Sequence, residues 1–273
     1  MSWITFIHER FPLRSHLPMV ACFTVANVLS ARGAPLSPQQ ALAAGTLAFA
    51  FLLRLRIFDE LKDLERDRVL HPDRPLARGL ISRGGALAGA AALVLLELAI
   101  AHAAGAGVFS GWVVAAGYSL LMYREFFAGA WLRPKVELYA VTHTFVAALL
   151  GATLAKFPAG PGATTGQILG MALANWMAFN VYEFSRKILS PREERPGVDS
   201  YSARLGLMGS ALVVSLMATT AAIAVQSSIL LPVILSWVAF SFARTPTTGG
   251  ARLLRAAGNA FVIAFYAMVG SGL

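Results

Sequence analysis

The longest stretch of this chain without a charged side chain covers residues 205–243, which is 39 consecutive residues. Two further uncharged stretches, 98–123 and 157–182, contain 26 residues each. A helix needs about 20 apolar residues to cross a bilayer, so the longest stretch has room for two membrane spans. A water-soluble domain of this length has no single core that could bury all of these runs. The sequence therefore predicts a helical protein that crosses a membrane many times.

The composition agrees with this prediction and excludes other classes of protein. Hydrophobic residues make up 57% of the chain and charged residues only 14%, whereas soluble domains are about a quarter charged. A disordered or fibrous chain is excluded on the same grounds. The single cysteine, Cys22, excludes an intramolecular disulfide framework, a cysteine-rich zinc site and an iron–sulfur cluster.

Polar and Gly/Pro-rich breaks divide the chain into nine apolar segments, each of which we interpret as a transmembrane helix. The segments cover roughly residues 14–31, 36–58, 82–104, 107–123, 136–155, 165–184, 205–224, 228–243 and 254–272. We predict one all-α, polytopic membrane domain over residues 1–273, with about nine transmembrane helices around a central chamber.

The basic residues predict the orientation of these helices. With the N-terminus in the cytoplasm, all but two of the 23 basic residues lie on the cytoplasmic side, the exceptions being Arg32 and Lys156. Such an asymmetry is what the positive-inside rule describes. The net charge of +9 then suits an anionic membrane leaflet, and no nucleic-acid partner is expected. We predict an integral protein of the cell (inner) membrane, with a cytoplasmic polar cap formed by residues 59–83 and 183–204.

Three aspartates follow the second apolar segment at a helical spacing. Asp59, Asp63 and Asp67 are four residues apart, so on a helix they project from one face over about 12 Å of its axis. Like charges at this spacing repel one another, and a bound cation would relieve the repulsion. Oxygen ligands without histidine or cysteine favour Mg²⁺, which binds carboxylates together with substrate phosphates.

The prolines after these aspartates end the helix and leave Arg74 and Arg78 close behind it. Arginine side chains match the geometry of phosphate oxygens. Carboxylates and arginines together at a membrane surface indicate a diphosphate bound through Mg²⁺. The alternative is a solvated loop in which these charges form surface ion pairs.

A second polar cluster follows four segments later, on the same predicted side of the membrane. The two polar stretches together hold ten of the fourteen acidic residues, which favours one shared site. The candidate residues of the second cluster are Asn180, Glu183, Arg186, Lys187, Glu193 and Glu194.

The first cluster resembles a known family signature. Asp59-Glu-x-x-Asp63-x-x-x-Asp67, followed by Arg74-Pro-Leu-x-x-Gly79, is similar to the first signature of the UbiA superfamily of intramembrane prenyltransferases. The resemblance implies that Asp63 and Asp67 bind metal and diphosphate, while Asp59 replaces the usual asparagine. It also implies diphosphate contacts for Arg74 and for Arg124, which follows Tyr123 at the end of the fourth segment.

The second signature of that family fits this chain less well. Glu183 could replace its first aspartate, but Lys187 stands where the second aspartate would be. Glu193 and Glu194, upstream of Gly197, could supply the carboxylates instead. Lys187 either forms a helix-surface ion pair with Glu183 or contacts the diphosphate directly, and the sequence favours the second account.

The resemblance implies Mg²⁺-dependent transfer of a prenyl group from an isoprenyl diphosphate to a small acceptor, often aromatic, within the membrane. Asp59 or Asp67 would accept the released proton. The alternatives are a terpene cyclase on the same scaffold and a non-catalytic transporter. Two polar residues inside spans, Glu97 and His143, are interpreted as a paired or protonated carboxylate and a packed core histidine.

Overall fold

The structure is a computed structural model, and it describes residues 2–30, 37–157, 164–195 and 198–271. All regular elements of this part of the chain are helices. They are α1 Ser2–Arg10, α2 Leu13–Ser30, α3 Pro38–Lys62, α4 Leu64–Leu70, α5 Arg83–Ala103, α6 Ala106–Tyr123, α7 Gly129–Leu132, α8 Val136–Thr144, α9 Val146–Leu154, α10 Thr165–Arg186, α11 Tyr201–Ala224, α12 Leu230–Arg244 and α13 Thr248–Ser271, with a 3₁₀ turn at Glu125–Phe127.

Within the described residues, a helix runs through each predicted apolar segment. Six candidate spans are long and apolar enough to cross a membrane, namely Pro38–Lys62, Arg83–Ala103, Ala106–Tyr123, Val136–Leu154, Tyr201–Ala224 and Thr248–Ser271. The apolar parts of α2 and α12 are shorter than 18 residues. The polytopic all-α fold is therefore confirmed, while the count of nine spans, the central chamber and the single-domain assignment stay predictions.

Helix ends are fixed by local capping. The side chains of Ser37 and Thr164 accept hydrogen bonds from the third residue of α3 and α10, and Gln40 and Gln167 bond back to the cap, which forms two complete capping boxes. These contacts satisfy amide groups that the first helical turn leaves without partners.

The fifth apolar segment is divided into α8 and α9 at Phe145, although it contains no proline there. Three consecutive side chains end α8 by donating to the backbone carbonyl four residues earlier. The donors are Thr142 Oγ1 to Leu138, His143 Nδ1 to Tyr139, and Thr144 Oγ1 to Ala140, over 2.7–3.0 Å. Such bonds compete with the helical ladder and bend helices.

The helices pack in a closed order that brings distant segments together. α3 packs on α5, α6 on α9, α2 on α13, and α10 on α9, α11 and α13. α9 also contacts α2 and α3, close to a buried pair in which Asn175 Nδ2 donates to Asn27 Oδ1 over 2.7 Å. A side chain at Gly151 would clash with both amides, so glycine is required where α9 crosses this pair.

The short helix α1 packs against the C-terminal part of α3 and the N-terminal part of α5. Phe6 is fully buried, and Trp3 lies so close to Gly89 that a β-carbon there would clash with its ring. Arg10 Nε donates to Glu60 Oε1 over 2.6 Å, and Glu60 itself is only 2% exposed. Apolar burial and a charged pair therefore fix α1 to the helix that carries the aspartates.

Candidate functional site

The three aspartates at the end of α3 keep a helical register despite a break in the helix. Asp63 caps the end of α3 and begins α4, yet its amide donates to Asp59 O over 3.0 Å and the amide of Asp67 donates to Asp63 O over 2.8 Å. These i to i−4 bonds place the three residues on successive turns of one helical face. We call Asp59, Asp63 and Asp67 the aspartate ladder.

The outer members of the ladder already face cations. Asp59 is exposed and lies 3.5 Å from Lys62 Nζ and 3.9 Å from Arg56. Asp67 is only 3% exposed, and Arg74 NH1 donates to its Oδ2 over 2.5 Å. The structure thus brings the predicted Arg74 directly onto the ladder.

The central carboxylate is different, because the side chain of Asp63 forms no hydrogen bond or ion pair with the described residues. Burial raises the pKa of Asp63, and the negative charges of Asp59 and Asp67 raise it further against the opposing effect of Lys62. A carboxylate that is half-buried, unpaired and flanked by like charges favours a bound cation.

The donor set fits Mg²⁺ bound together with a phosphate ligand. Among the described residues, no three His, Cys, Asp or Glu side chains group closely enough to hold a metal ion alone. Mg²⁺ commonly takes one or two carboxylates and fills its other positions with water and substrate phosphates. Asp63 with its neighbours in the ladder can supply such carboxylates.

Arg78 is not brought to the ladder. Its guanidinium donates to Glu9 Oε1 over 2.8 Å and to the backbone oxygen of Asp73 over 2.7 Å. The hydrogen bond from Arg78 lowers the pKa of the Glu9 carboxyl. In this structure Arg78 connects α1 to the loop after α4, and its contact with a diphosphate stays a prediction.

Arg124 lies at the rim of a basic cleft beside the ladder. The cleft has a volume of about 460 Å³ and is lined by Lys62, Arg83, Arg124 and Arg133 as well as by Glu65 and Glu125. Arg124 also packs over the ring of Phe127, with 5.6 Å to its centroid. A surplus of positive charge next to the aspartates suits an anionic ligand.

The wall of this cleft contains a strained turn. Glu125, Phe126 and Phe127 have φ values of 49°, 54° and 55°, in the left-handed region that residues with side chains seldom adopt. Glu125 is 8% exposed and accepts a hydrogen bond from Arg133 Nε over 2.7 Å. Strained backbone of this kind is commonly found at functional sites.

In the second cluster, Glu183 lies between two cations. Arg186 Nε donates to it over 2.6 Å, and Lys187 Nζ lies 2.9 Å from its other oxygen. The helix-surface pair of Glu183 and Lys187 is therefore present. Metal binding by Glu183 and diphosphate contacts of Arg186 and Lys187 stay predictions.

Glu193 and Glu194 contact protein groups in this structure. Glu193 accepts from Arg255 NH2 over 2.7 Å and from Ser190 N and Oγ, and the Arg255 hydrogen bond lowers the pKa of Glu193 to about 2. Glu194 accepts from the hydroxyls of Ser200 and Ser202. These contacts hold the loop between α10 and α11, and the predicted metal role of both glutamates stays untested. Gly197 lies outside the described residues.

Asn180 is fully buried beneath this cluster. Its Oδ1 accepts from Thr144 Oγ1 over 2.9 Å, and its Nδ2 donates to the backbone oxygen of Trp176 over 2.8 Å. Both ends of the amide therefore have protein partners, and the bond from Thr144 connects α8 to α10. Its predicted contact with the diphosphate stays a prediction.

Solved structures with this helix arrangement identify the fold. A UbiA homologue from Aeropyrum pernix K1 aligns over 94% of this chain and 96% of its own, with a TM-score of 0.68 and 17% identity. A digeranylgeranylglyceryl phosphate synthase aligns over 99% and 100%, with a TM-score of 0.65 and 15% identity. A UbiA homologue from Archaeoglobus fulgidus bound to GPP and Mg²⁺ aligns over 97% and 99%, with a TM-score of 0.58 and 15% identity.

The chain has the fold of these UbiA homologues. No protein-family model matches the sequence, and a search of curated proteins finds no match. At 15–17% identity the likeness is one of structure, carried by the helix order and packing. Together with the apolar helices, the UbiA fold makes this chain an integral membrane protein.

Sequence reasoning missed several residues that lie near the aspartate ladder. Lys62 Nζ donates to Tyr139 OH over 2.9 Å, and the Tyr139 ring stacks on His143 with 3.8 Å between centroids. This contact joins α3 to α8, which follows it by more than 70 residues. The spacing of four between Tyr139 and His143 was a signal that both share one helix face. Nothing in the sequence indicates Arg83 or Arg133.

Glu97 is a fully buried carboxylate in the interior of the fold, and it is paired. Arg54 donates from Nε and NH2 to both oxygens of Glu97 over 2.8 and 2.9 Å, and from NH1 to Ser119 over 2.8 Å. Trp112 Nε1 also donates to Glu97 over 2.9 Å. Arg54 is 1% exposed and Glu97 is 0% exposed. This cluster joins α3, α5 and α6.

Proposed function

We propose that this chain is a Mg²⁺-dependent prenyltransferase that moves a prenyl group from an isoprenyl diphosphate to a small acceptor within the membrane. The observation that carries the proposal is the unpaired, half-buried carboxylate of Asp63 between Asp59 and Asp67, beside Arg74. A homologue with the same fold is bound to GPP and Mg²⁺, which supports this ligand class for the ladder.

In this proposal Asp63 and Asp67 hold the metal, with Asp59 at the edge of the site. Bound Mg²⁺ would neutralise the diphosphate and make it a better leaving group. Arg74 and Arg124, together with Arg186 and Lys187 on the second cluster, bind the diphosphate oxygens and stabilise the charge that develops as the allylic C–O bond breaks. Apolar helices around the prenyl chain exclude the water that would quench the reaction.

The proposal also includes an orientation. The aspartate ladder and the second cluster face the cytoplasm, with the N-terminus on the same side. The support is the distribution of basic residues, of which all but two fall on that side when the nine segments are counted as spans.

The test is an assay of the purified protein in detergent with GPP, longer isoprenyl diphosphates and a panel of small acceptors, with and without Mg²⁺. We expect acceptor-dependent release of diphosphate that stops in EDTA. A hydrocarbon formed from the diphosphate alone would indicate a cyclase. Passage of GPP across vesicle membranes without any diphosphate release would indicate a transporter.

A further inference from the structure

His143 presents a hydrogen-bond acceptor that no described residue uses. Its Nδ1 lies 2.7 Å from the backbone oxygen of Tyr139, and because a carbonyl oxygen only accepts, Nδ1 carries the hydrogen. In the neutral ring this leaves a lone pair on Nε2. Nε2 is buried and has no hydrogen-bond partner among the described residues. Buried polar atoms without partners are rare in native proteins and often have a catalytic or ligand-binding role.

The position of His143 places this lone pair beside the proposed site. The ring stacks on Tyr139, whose hydroxyl accepts from Lys62, and Lys62 Nζ lies 3.5 Å from Asp59. The charged groups that act on the ring are the ammonium of Lys62 and the carboxylates of Asp59 and Glu125. Three successive side-chain contacts, through Tyr139 and Lys62, therefore connect His143 to the aspartate ladder.

The segment that covers His143 is the strained turn. Phe126 packs edge-on against the imidazole with 5.6 Å between centroids, and it also contacts Tyr118. Its neighbours Glu125 and Phe127 line the basic cleft. The imidazole thus lies between the aromatic rings of Tyr139 and Phe126, surroundings that suit a flat apolar molecule that carries one polar hydrogen.

The ladder carboxylates are less suited to take a proton, since Asp63 holds the metal in the proposed function and the other two are paired. Asp67 is bonded to Arg74, and Asp59 lies between Arg56 and Lys62, so both carboxylates already have a cationic partner. Neutral imidazole with a fixed tautomer is a common general base, and here its free nitrogen is the one that faces no protein donor.

We propose that His143 is a catalytic base that binds a hydroxyl group of an aromatic acceptor through Nε2, an assignment that rests on the proposed prenyl transfer. The acceptor O–H bond breaks and its proton moves to Nε2. The acceptor oxygen then uses its electron pair to form a bond with C1 of the prenyl group, while the C1–O bond breaks and its electron pair leaves with the diphosphate. The imidazolium is stabilised by the face of Tyr139.

The first test measures binding without turnover. Wild-type protein should bind 1-naphthol about tenfold more tightly than naphthalene, because only the naphthol donates to Nε2. His143→Asn keeps a donor for the Tyr139 carbonyl but lacks Nε2, so the ratio of the two affinities should fall to about one. The matched control, His102→Asn, changes an exposed histidine on α5 and should leave the ratio unchanged. A wild-type ratio of one would overturn the assignment.

The second test uses transfer from GPP to 1-naphthol or to an acceptor found in the screen. His143→Asn should lower kcat about 10²- to 10⁴-fold while the KM for GPP stays within about twofold of wild type. Added imidazole should restore part of the activity of His143→Ala. Wild-type kcat in His143→Asn, or an equal loss of GPP binding and thermal stability, would overturn the role of His143. Absence of diphosphate release from the wild type with every acceptor would instead refute the proposed function itself.

Discussion

The interior cluster of Arg54 and Glu97 and the aspartate ladder both include charged residues of α3, but the partners of their carboxylates differ. In the interior cluster, the Glu97 carboxylate takes both of its Arg54 bonds and a third from Trp112. In the ladder, the Asp63 carboxylate has no hydrogen bond or ion pair with any described residue. The two groups are separated by only about two helical turns.

This difference distinguishes a carboxylate whose partners are all supplied by the protein from one that is left open to a ligand. A buried ion pair whose hydrogen-bonding capacity is filled by the protein joins helices, and removing one partner leaves the other charge uncompensated. A half-buried carboxylate without a partner costs free energy in the empty protein, and a ligand that supplies the missing charge recovers that free energy. Asn180 and His143 differ in the same way. The Asn180 amide has protein partners at both ends, whereas Nε2 of His143 has none among the described residues.

The largest expected effect comes from Asp63. Asp63→Asn keeps the shape of the side chain but removes the negative charge that would bind the metal. Turnover should therefore fall by roughly a thousandfold or more. Thermal stability should not fall, because the substitution relieves repulsion within the ladder. Asp73→Asn, an exposed aspartate in the following loop, is the control. Full activity of the wild type in EDTA would contradict the metal role.

Breaking the interior cluster should affect stability rather than chemistry. Glu97→Ala leaves Arg54 buried without its partner and should lower the free energy of unfolding by about 3–5 kcal/mol. The double variant Arg54→Met/Glu97→Leu removes both charges and should recover most of this loss. Chemical denaturation in detergent measures the difference. Additive losses in the double variant would show that the pair is not coupled.

Replacement of Lys187 tests whether this residue only forms a surface ion pair with Glu183 or also contacts the diphosphate. A helix-surface pair with Glu183 contributes about 0.3–0.5 kcal/mol. A direct contact with diphosphate is worth about 4 kcal/mol at an effective dielectric constant of 20. We expect Lys187→Ala to raise the KM for the donor or to lower turnover by at least about tenfold, with Lys156→Ala as the control. Wild-type kinetics in Lys187→Ala would leave only the surface pair.

Glu193 provides a smaller test that depends on pH. Its pKa is lowered to about 2 by Arg255, so the stabilisation is present above the unfolded pKa of about 4.5 and is lost as the pH falls toward 2. The pair is partly exposed, which limits its contribution to about 1 kcal/mol. Glu193→Gln should therefore be less stable than wild type at pH 7 and equal to it near pH 2. A stability difference that depends on Mg²⁺ would instead support a metal at Glu193.

The orientation can be tested with changes that should not affect activity. In a Cys22→Ala background, Ser82→Cys should react with an impermeant maleimide only from the cytoplasmic side and Ser228→Cys only from the other. Both serines lie outside the helices and are exposed, whereas Ser190 in the second cluster is only 1% exposed and would label poorly. Labelling of Ser82→Cys and Ser228→Cys from the same side would contradict the count of nine spans.

The helical fold and the ladder could be predicted because both depend on short-range patterns. Apolar length determines where α3 and α11 lie, and the spacing of four determines that Asp59, Asp63 and Asp67 share a face. A local signal also surrounds the break at Phe145, where Thr142, His143 and Thr144 could each bond backward, but these residue types are common inside helices too.

The partners of the charged residues could not be predicted, because the chain brings them together from distant positions. Glu193 pairs with Arg255, 62 residues away, and Lys62 bonds Tyr139, 77 residues away. The left-handed turn at Glu125–Phe127 has no glycine to mark it. Sequence spacing therefore identifies which residues carry charge, whereas packing decides which of those charges stay open to a ligand.

The attachment of α1 has a practical consequence for anyone who handles this protein. Its last two residues form ion pairs with residues on either side of Asp63 and Asp67 in the sequence, Arg10 with Glu60 and Glu9 with Arg78. A force on the N-terminus is therefore transmitted through these two ion pairs to the segments that precede and follow Asp63 and Asp67. Affinity tags, fluorescent fusions and surface tethers attached at that end would therefore disturb the position of the aspartate ladder.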